Sequence, residues 1–377
     1  MKYSIEIGKI VEGALKHDQV KVLNYTKQLI AKLEEDNETR AASKFSKMIN
    51  MHSETSLSAM GTVKDTIVPV DAESRTTLAD VIYPDKNNIE VVLSKSNYEK
   101  LNSFILSYKS ADKLNSLGIG VPNTLLLYGP PGCGKTKCAY LIAKELQLPL
   151  VVARLDSLIS SYLGTTAKNI RMLFEFAQKT PCVLFLDEFD AIAKARDDSN
   201  ELGELKRVVN SLLQNVDAMS RDSLLLAATN HESLLDSAVW RRFDYKLEIE
   251  LPDIESIIKM IDLFINDSIK LDIKEKQELA TAFLGLSGAN VEEIVKKAMR
   301  NAVIYGSEFT KSSIFDELFT FKKVVPQNCE SNRLALRKKA KFLRQCDEKV
   351  FSYAVIAKIL NVSKTMVSTL IAEEDEK

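Results

Sequence analysis

Histidine and cysteine are scarce in this chain. Three histidines and five cysteines (Cys133, Cys138, Cys182, Cys329, Cys346) occur among 377 residues, and no pair of cysteines has the spacing of a metal clip. That argues against a zinc module and against a disulfide-stapled scaffold, and it suits thiols that stay reduced. Charge excess is missing too. Lys and Arg total 51 against 52 Asp and Glu, a net charge of −1, so the chain as a whole advertises neither nucleic acid nor an anionic membrane. No apolar run approaches the ~18 residues of a bilayer span. The opening Met1-Lys2-Tyr3-Ser4-Ile5-Glu6 has no apolar signal core. A cytoplasmic protein without membrane insertion is expected.

What is present is organised around one stretch, Leu125-Leu-Leu-Tyr-Gly129-Pro130-Pro131-Gly132-Cys133-Gly134-Lys135-Thr136. A short apolar run leads into a glycine-rich loop, and the glycines permit tight turns and positive φ. Successive backbone N–H groups of such a loop can wrap a phosphate chain, and a helix starting near Lys135 adds its positive dipole end. Lys135 would reach the β- and γ-phosphates of ATP, and the Thr136 hydroxyl would hold Mg²⁺. Lys137 follows in the first turn.

The surrounding pattern predicts an α/β fold. Apolar strands at Leu150–Ala153, Cys182–Leu186, Leu224–Ala228 and Tyr245–Ile249 alternate with helices at Ala139–Leu146, Ile170–Gln178 and Arg207–Val216. This describes a P-loop parallel sheet with helices on both faces and ligands at the strands' carboxyl ends. A further strand is expected at Glu90–Leu93 and a helix near Tyr98–Tyr108. The predicted organisation is a three-helix bundle (1–52), a Ser/Thr-rich flexible linker (53–77), the α/β core (78–251), a helical lid (252–325) and a small helical extension (326–377). In the first helix Ile7, Ile10, Val11, Ala14 and Leu15 mark the expected buried stripe.

Asp187 and Glu188 close the all-apolar run Val183-Leu184-Phe185-Leu186. Asp187 there can hold Mg²⁺ through water while Glu188 polarises the attacking water. Asn230 closes the next apolar run and is placed to orient that water.

In order and spacing, Gly129–Thr136, Leu186-Asp187-Glu188-Phe189-Asp190, Ala228-Thr229-Asn230 and Leu235–Asp244 resemble the motifs of AAA ATPases. Pro252 and Ser287-Gly288-Ala289-Asn290 extend the resemblance across Leu78–Phe321. Adjacent Arg241-Arg242 is similar to the branch that holds spastin and katanin. The resemblance implies ATP hydrolysis in a homo-oligomeric ring, a hexamer, with Arg241 and Arg242 as arginine fingers reaching a neighbouring subunit's nucleotide. It implies a nucleotide set of Gly129, Pro130, Pro131, Gly132, Cys133, Gly134, Lys135, Thr136, Lys137, Asp187 and, in the lid, Ala289. It also places Tyr162 and Leu163, before Gly164, in a pore loop that would grip a protein client. A separately encoded protease is among the partners it implies.

Both ends leave openings. The N-terminal bundle is similar in size and place to the microtubule-interacting domains of that branch, which suggests partner docking. Residues 331–372 carry nine basic residues against Asp347 and Glu348, and Tyr353–Leu370 has the pattern of a helix-turn-helix, with Asn361-Val362-Ser363 as the turn. Two functions therefore stand: protein remodelling through a pore, or an ATP-switched assembly targeted to DNA. The acidic run Glu373–Glu376 precedes the final Lys377.

Overall fold

Strands that are apolar along nearly their whole length must be covered on both faces, and such strands decide the architecture. A computed structural model describes residues 3–16, 18–53, 68–71, 75–83, 90–158, 163–190, 204–219, 223–265, 268–326 and 331–372. Its six strands are β1 (Ala79–Ile82), β2 (Thr124–Tyr128), β3 (Leu150–Ala153), β4 (Val183–Leu186), β5 (Leu224–Thr229) and β6 (Tyr245–Glu248), in the order β1-β3-β4-β5-β2-β6. All neighbours run parallel except β1, which pairs antiparallel with β3 at the edge. Every residue of β4 and β5 is buried. At about 2 kcal/mol for each buried large aliphatic side chain, these strands contribute strongly to the core of the sheet.

The chain divides into two units, the first made of residues 1–91, 97–129 and 135–249 and the second of residues 92–96, 130–134 and 250–377. The first holds the sheet with α4 (Lys95–Lys109, whose first turn counts with the second unit), α5 (Ala111–Ser116), α6 (Lys135–Leu146), α7 (Leu155–Leu158), α8 (Leu163–Lys179), α9 (Glu204–Asp217) and α10 (Ser237–Trp240). Leu173, Phe174 and Ala177 of α8 and Val209, Leu212, Leu213 and Val216 of α9 recur at helical spacing, and they share one core with Leu184, Leu186 and Leu225. The strand expected at Glu90–Leu93 is not formed. Those residues have no regular structure, and the edge strand is Ala79–Ile82 instead. Asp80 there accepts two hydrogen bonds from Arg154, at 2.7 and 2.8 Å, just beyond β3.

The N-terminal helices α1 (Ser4–Leu15), α2 (Gln19–Glu35) and α3 (Thr39–Ser53) also belong to the first unit. The expected buried stripe of α1 is only partly realised. Leu15 is 78% exposed and Val11 is exposed, while Glu6 and Lys9 are buried. Paired charges explain the inversion: Glu6 takes Lys32 at 2.5 Å, and Glu12 takes Lys16 and Lys21 at 2.8 Å each. Hydrogen bonds from Lys16 and Lys21 hold the Glu12 carboxyl down at about 2. A cavity of about 610 Å³ lies on this side, lined by Tyr3, Glu6 and Lys32 with Tyr108, Lys144 and Pro181. Of the expected linker, 54–67 and 72–74 lie outside the described residues.

The second unit is helical: α11 (Ile254–Ile265), α12 (Ile273–Phe283), α13 (Gly288–Tyr305), α14 (Lys311–Phe321), α15 (Asn332–Cys346), α16 (Tyr353–Leu360) and α17 (Lys364–Ala372). One apolar core runs through all seven, from Ile257, Phe283 and Ile294 to Leu343, Ile356 and Val367. Phe315 of α14 meets Phe351 edge to face at 6.2 Å, and Phe319 meets Phe342 at 6.0 Å. Among the described residues no single helix is long and apolar enough to cross a membrane.

Candidate nucleotide-binding site

β2 lies between β5 and β6, and its end delivers the glycine loop to the rim where β4 and β5 also finish. Gly129 has φ +130°, and a Cβ there would lie 2.4 Å from the carbonyl oxygen of Ile249. Only glycine fits so tight a passage beside the chain leaving β6. Pro130, Pro131 and Gly132 are exposed, Cys133 is buried and Gly134 is half-buried. α6 then opens at Lys135, whose side chain is buried and whose Nζ donates to the Gly129 carbonyl at 2.7 Å. Lys137 is exposed. Burial pushes the Cys138 thiol up to about 12, against the pull of the Lys135 charge, so Cys138 is a packing residue.

One residue on, the Thr136 hydroxyl donates to Asp187 Oδ2 at 2.8 Å. A hydroxyl beside a carboxylate is an oxygen-only donor set, the chemistry Mg²⁺ selects. Glu188 is exposed at φ +50°, a left-handed conformation that non-glycine residues seldom adopt, and its N–H donates to Asp187 Oδ1 at 3.0 Å. Two bonds fasten this turn to the next strand. Phe189 N–H donates to the Ala228 carbonyl at 2.8 Å, and the Thr229 hydroxyl donates to buried Asp190 at 3.0 Å. Asn230 follows Thr229 directly, half-buried, with no side-chain hydrogen bond among the described residues.

Asp236 caps α10 by accepting the Val239 N–H at 2.9 Å, which sets the direction of the chain into Arg241 and Arg242. The two arginines differ. Arg242 pairs with Asp217 at 2.9 Å and donates to the Ala238 carbonyl at 2.7 Å. Arg241 is exposed and makes no hydrogen bond or ion pair among the described residues. Aromatic contacts hold the segment on both sides: Trp240 against Tyr128 at 5.1 Å, and Phe243 against Phe189 at 5.9 Å.

In the second unit the middle of the glycine loop meets the start of α13. Ala289 N–H donates to the Gly132 carbonyl at 3.0 Å. A Cβ on Gly132, at φ +74°, would come within 2.9 Å of the Ala289 methyl and 2.7 Å of Ser287 Oγ. Ser287 caps α13, and its hydroxyl donates to Asn290 Oδ1 at 2.6 Å, an acceptor that an Asp at 290 would also provide. Of the expected pore loop, Tyr162 lies outside the described residues, and Leu163 and Gly164 open α8.

Sequence reasoning passed over Asp190, Thr229, Asp217 and the Phe189–Phe243 pair. The aromatics carried a signal, since each follows directly on residues singled out for chemistry. Asp217 carried none, because it lies 25 positions from its arginine.

A glycine loop opening a helix, with an acidic pair just after a parallel strand of the same sheet, defines a P-loop nucleoside triphosphatase. The sequence model of the family described as "ATPase family associated with various cellular activities (AAA)" matches residues 125–251. An "Uncharacterized AAA family ATPase" of Sinorhizobium fredii is 44% identical over 233 residues, which is 62% of this chain and 70% of that one. The 26S proteasome regulatory subunit 6A of Saccharomyces cerevisiae is 34% identical over 232 residues, 60% of this chain and 54% of its own. An ATP-dependent zinc metalloprotease FtsH of Lancefieldella parvula is 33% identical over 219 residues, 56% of this chain but 34% of its own. The chain belongs to the AAA family of ATPases, and the reaction it catalyses is ATP hydrolysis.

Proposed function

We propose that the chain assembles as a homo-hexameric ring that uses Mg²⁺-dependent ATP hydrolysis to remodel or thread a protein client through its centre. In this reading Gly129–Thr136 wraps the phosphates, with Lys137 and Ala289 beside them. Thr136 holds Mg²⁺ directly and Asp187 does so through water. Bound there, the ion would neutralise charge on the β- and γ-phosphates. Glu188 polarises the attacking water and Asn230 orients it.

The observation that carries the ring is Arg241. An exposed guanidinium without a partner among the described residues, set by a capped turn, is a permanent charge available to a neighbouring subunit's γ-phosphate. Asp217 holds Arg242 next to it. The end of α13 adds support, since Val303, Ile304 and Tyr305 are 83, 64 and 78% exposed in succession, an apolar surface suited to a second copy. Remodelling of protein is supported by two relatives, a proteasome regulatory subunit and a protease, and by Tyr162-Leu163-Gly164 at the position where the resemblance puts a client-gripping loop.

Mixing subunits tests the ring. Arg241→Ala and Glu188→Gln are each expected to lose ATPase alone, with arginine-finger removal costing about 10³-fold or more. Their mixture should regain activity, because some interfaces then join an intact Glu188 to an intact Arg241. No recovery in mixtures, or a fully active monomer by light scattering, refutes the ring.

A further inference from the structure

The last three helices pack together as a compact tripod on the core of the second unit. α16 and α17 are joined by the three residues Asn361-Val362-Ser363 and bend by 105° at that turn. Asn361 takes the left-handed conformation, φ 53° and ψ 48°, which ends α16. Val362 N–H returns to the Ala357 carbonyl at 3.0 Å, and Ser363 caps α17 by accepting the Met366 N–H at 3.2 Å. Two helices at roughly 90–120° across a three- or four-residue turn is the geometry of a helix-turn-helix. α15 supplies the support, with Ala340 and Leu343 in the core that holds Ile356 and Val367.

α17 is divided cleanly. Val367 and Leu370 are fully buried, whereas Lys364, Thr365, Ser368 and Thr369 are exposed on the other side. That outer face has one ammonium, three hydroxyls and no carboxylate. Nine basic residues against two acidic ones in 331–372 contrast with a net charge of −1 for the whole chain. Both acids are engaged. Asp347 accepts the N–H groups of Lys349 and Val350, and Glu348 pairs with Arg344 at 3.2 Å. Lys349 and Lys358 are exposed beside the turn helices. The acidic run 373–376 follows α17 in sequence.

We propose that this tripod docks on duplex DNA, with the first turns of α17 in the major groove and α16 crossing the phosphate backbone. Hydroxyls and a lysine at the start of the second helix suit base edges, and Lys349 and Lys358 suit phosphates. Charge complementarity selects the nucleic acid over an apolar partner, because the apolar side of both helices is already buried in the core. This surface would give the ATPase an address independent of whatever its ring acts on.

The test uses the full chain and a fluorescein-labelled 40-base-pair duplex with 20 randomised central positions, read by anisotropy and by successive rounds of selection. Binding should weaken with salt at a log–log slope of about −2 to −4, the mark of two to four phosphate contacts. The single strand of the same sequence should bind at least tenfold more weakly than the duplex. Lys364→Glu should cut duplex affinity tenfold or more with an unchanged thermal melt; if its melt shifts, Thr369→Asp on the same exposed face takes its place. Ser368→Ala should change which sequences selection enriches. The proposal is overturned by no binding to the duplex at low salt, by heparin competing as tightly as the enriched duplex, or by α17 variants that fold and bind unchanged.

Discussion

The rings of Tyr128 and Trp240 meet edge to face at 5.1 Å. Tyr128 precedes the first glycine of the phosphate loop and Trp240 precedes Arg241, so the two ends of the catalytic rim touch through a single aromatic contact. Such a pair contributes about 1 kcal/mol beyond its buried area. Trp240 is the only tryptophan in the chain, which makes the contact directly observable. Adding a non-hydrolysable ATP analogue should shift Trp240 emission, and Lys135→Ala should remove the shift at the same analogue concentration. Unchanged emission while calorimetry shows the analogue bound would mean that this contact does not sense the loop.

Lys135 and Glu188 should fail in different ways. Lys135→Ala removes the buried ammonium at the loop and should weaken ATP binding more than tenfold. Glu188→Gln keeps the size and hydrogen bonding of the side chain but not its basicity. It should bind ATP normally and turn over about 10²- to 10⁴-fold more slowly. Equilibrium binding beside steady-state turnover separates the two, and normal turnover by Glu188→Gln would remove Glu188 from its proposed role.

Gly129→Ala probes the passage between β2 and the chain leaving β6. Its methyl would sit 2.4 Å from the Ile249 carbonyl, at a φ of +130° that alanine strongly resists. A loss of about 1–3 kcal/mol of stability is expected, seen as a lower melting temperature. Gly134→Ala, where the space is open and only φ opposes it, should cost less.

Tyr162 separates grip from hydrolysis. Tyr162→Ala should leave basal ATPase within a few-fold while abolishing client remodelling, and Tyr162→Phe should retain most of it, because ring contact and not the hydroxyl is asked to do the gripping. If Tyr162→Ala lowers ATPase and melting temperature together, the side chain belongs to the core and threading loses its main sequence support.

Legibility in the sequence followed the range of the physics. The P-loop, the acidic pair after β4 and the parallel strands could be read directly, because each depends on neighbours within a few positions. Within the stretch read as a helical lid, α12 (Ile273–Phe283) opens on a capping box formed by Asp272 and Glu275. What stayed hidden was set by distant partners. Ala79–Ile82 is a strand because it pairs along the edge of β3, not because its four residues are strongly patterned, and the Glu90–Leu93 stretch pairs with no strand among the described residues. In α1 the apolar stripe is half realised: Ile7 and Ile10 pack inward, but Val11 and Leu15 are exposed while Glu6 is buried against Lys32, 26 positions away. The Thr136–Asp187 bond spans 51 positions, so the motifs named both residues but not their contact.

The inward charges of α1 and α2 tie the two helices together as one exchangeable unit. Lys9 is fully enclosed and has Glu12 at 3.6 Å, and Glu6 is matched to Lys32. A buried ion that loses its partner costs several kcal/mol, far more than a misplaced leucine. Exchange of the whole bundle carries both members of each pair along, whereas exchange of α1 or α2 alone would separate Glu6 from Lys32 and Glu12 from Lys21. Point changes along the seam would be selected against one at a time, and lineages carrying it should drift on the leucine-bearing outer side while the charges stay fixed.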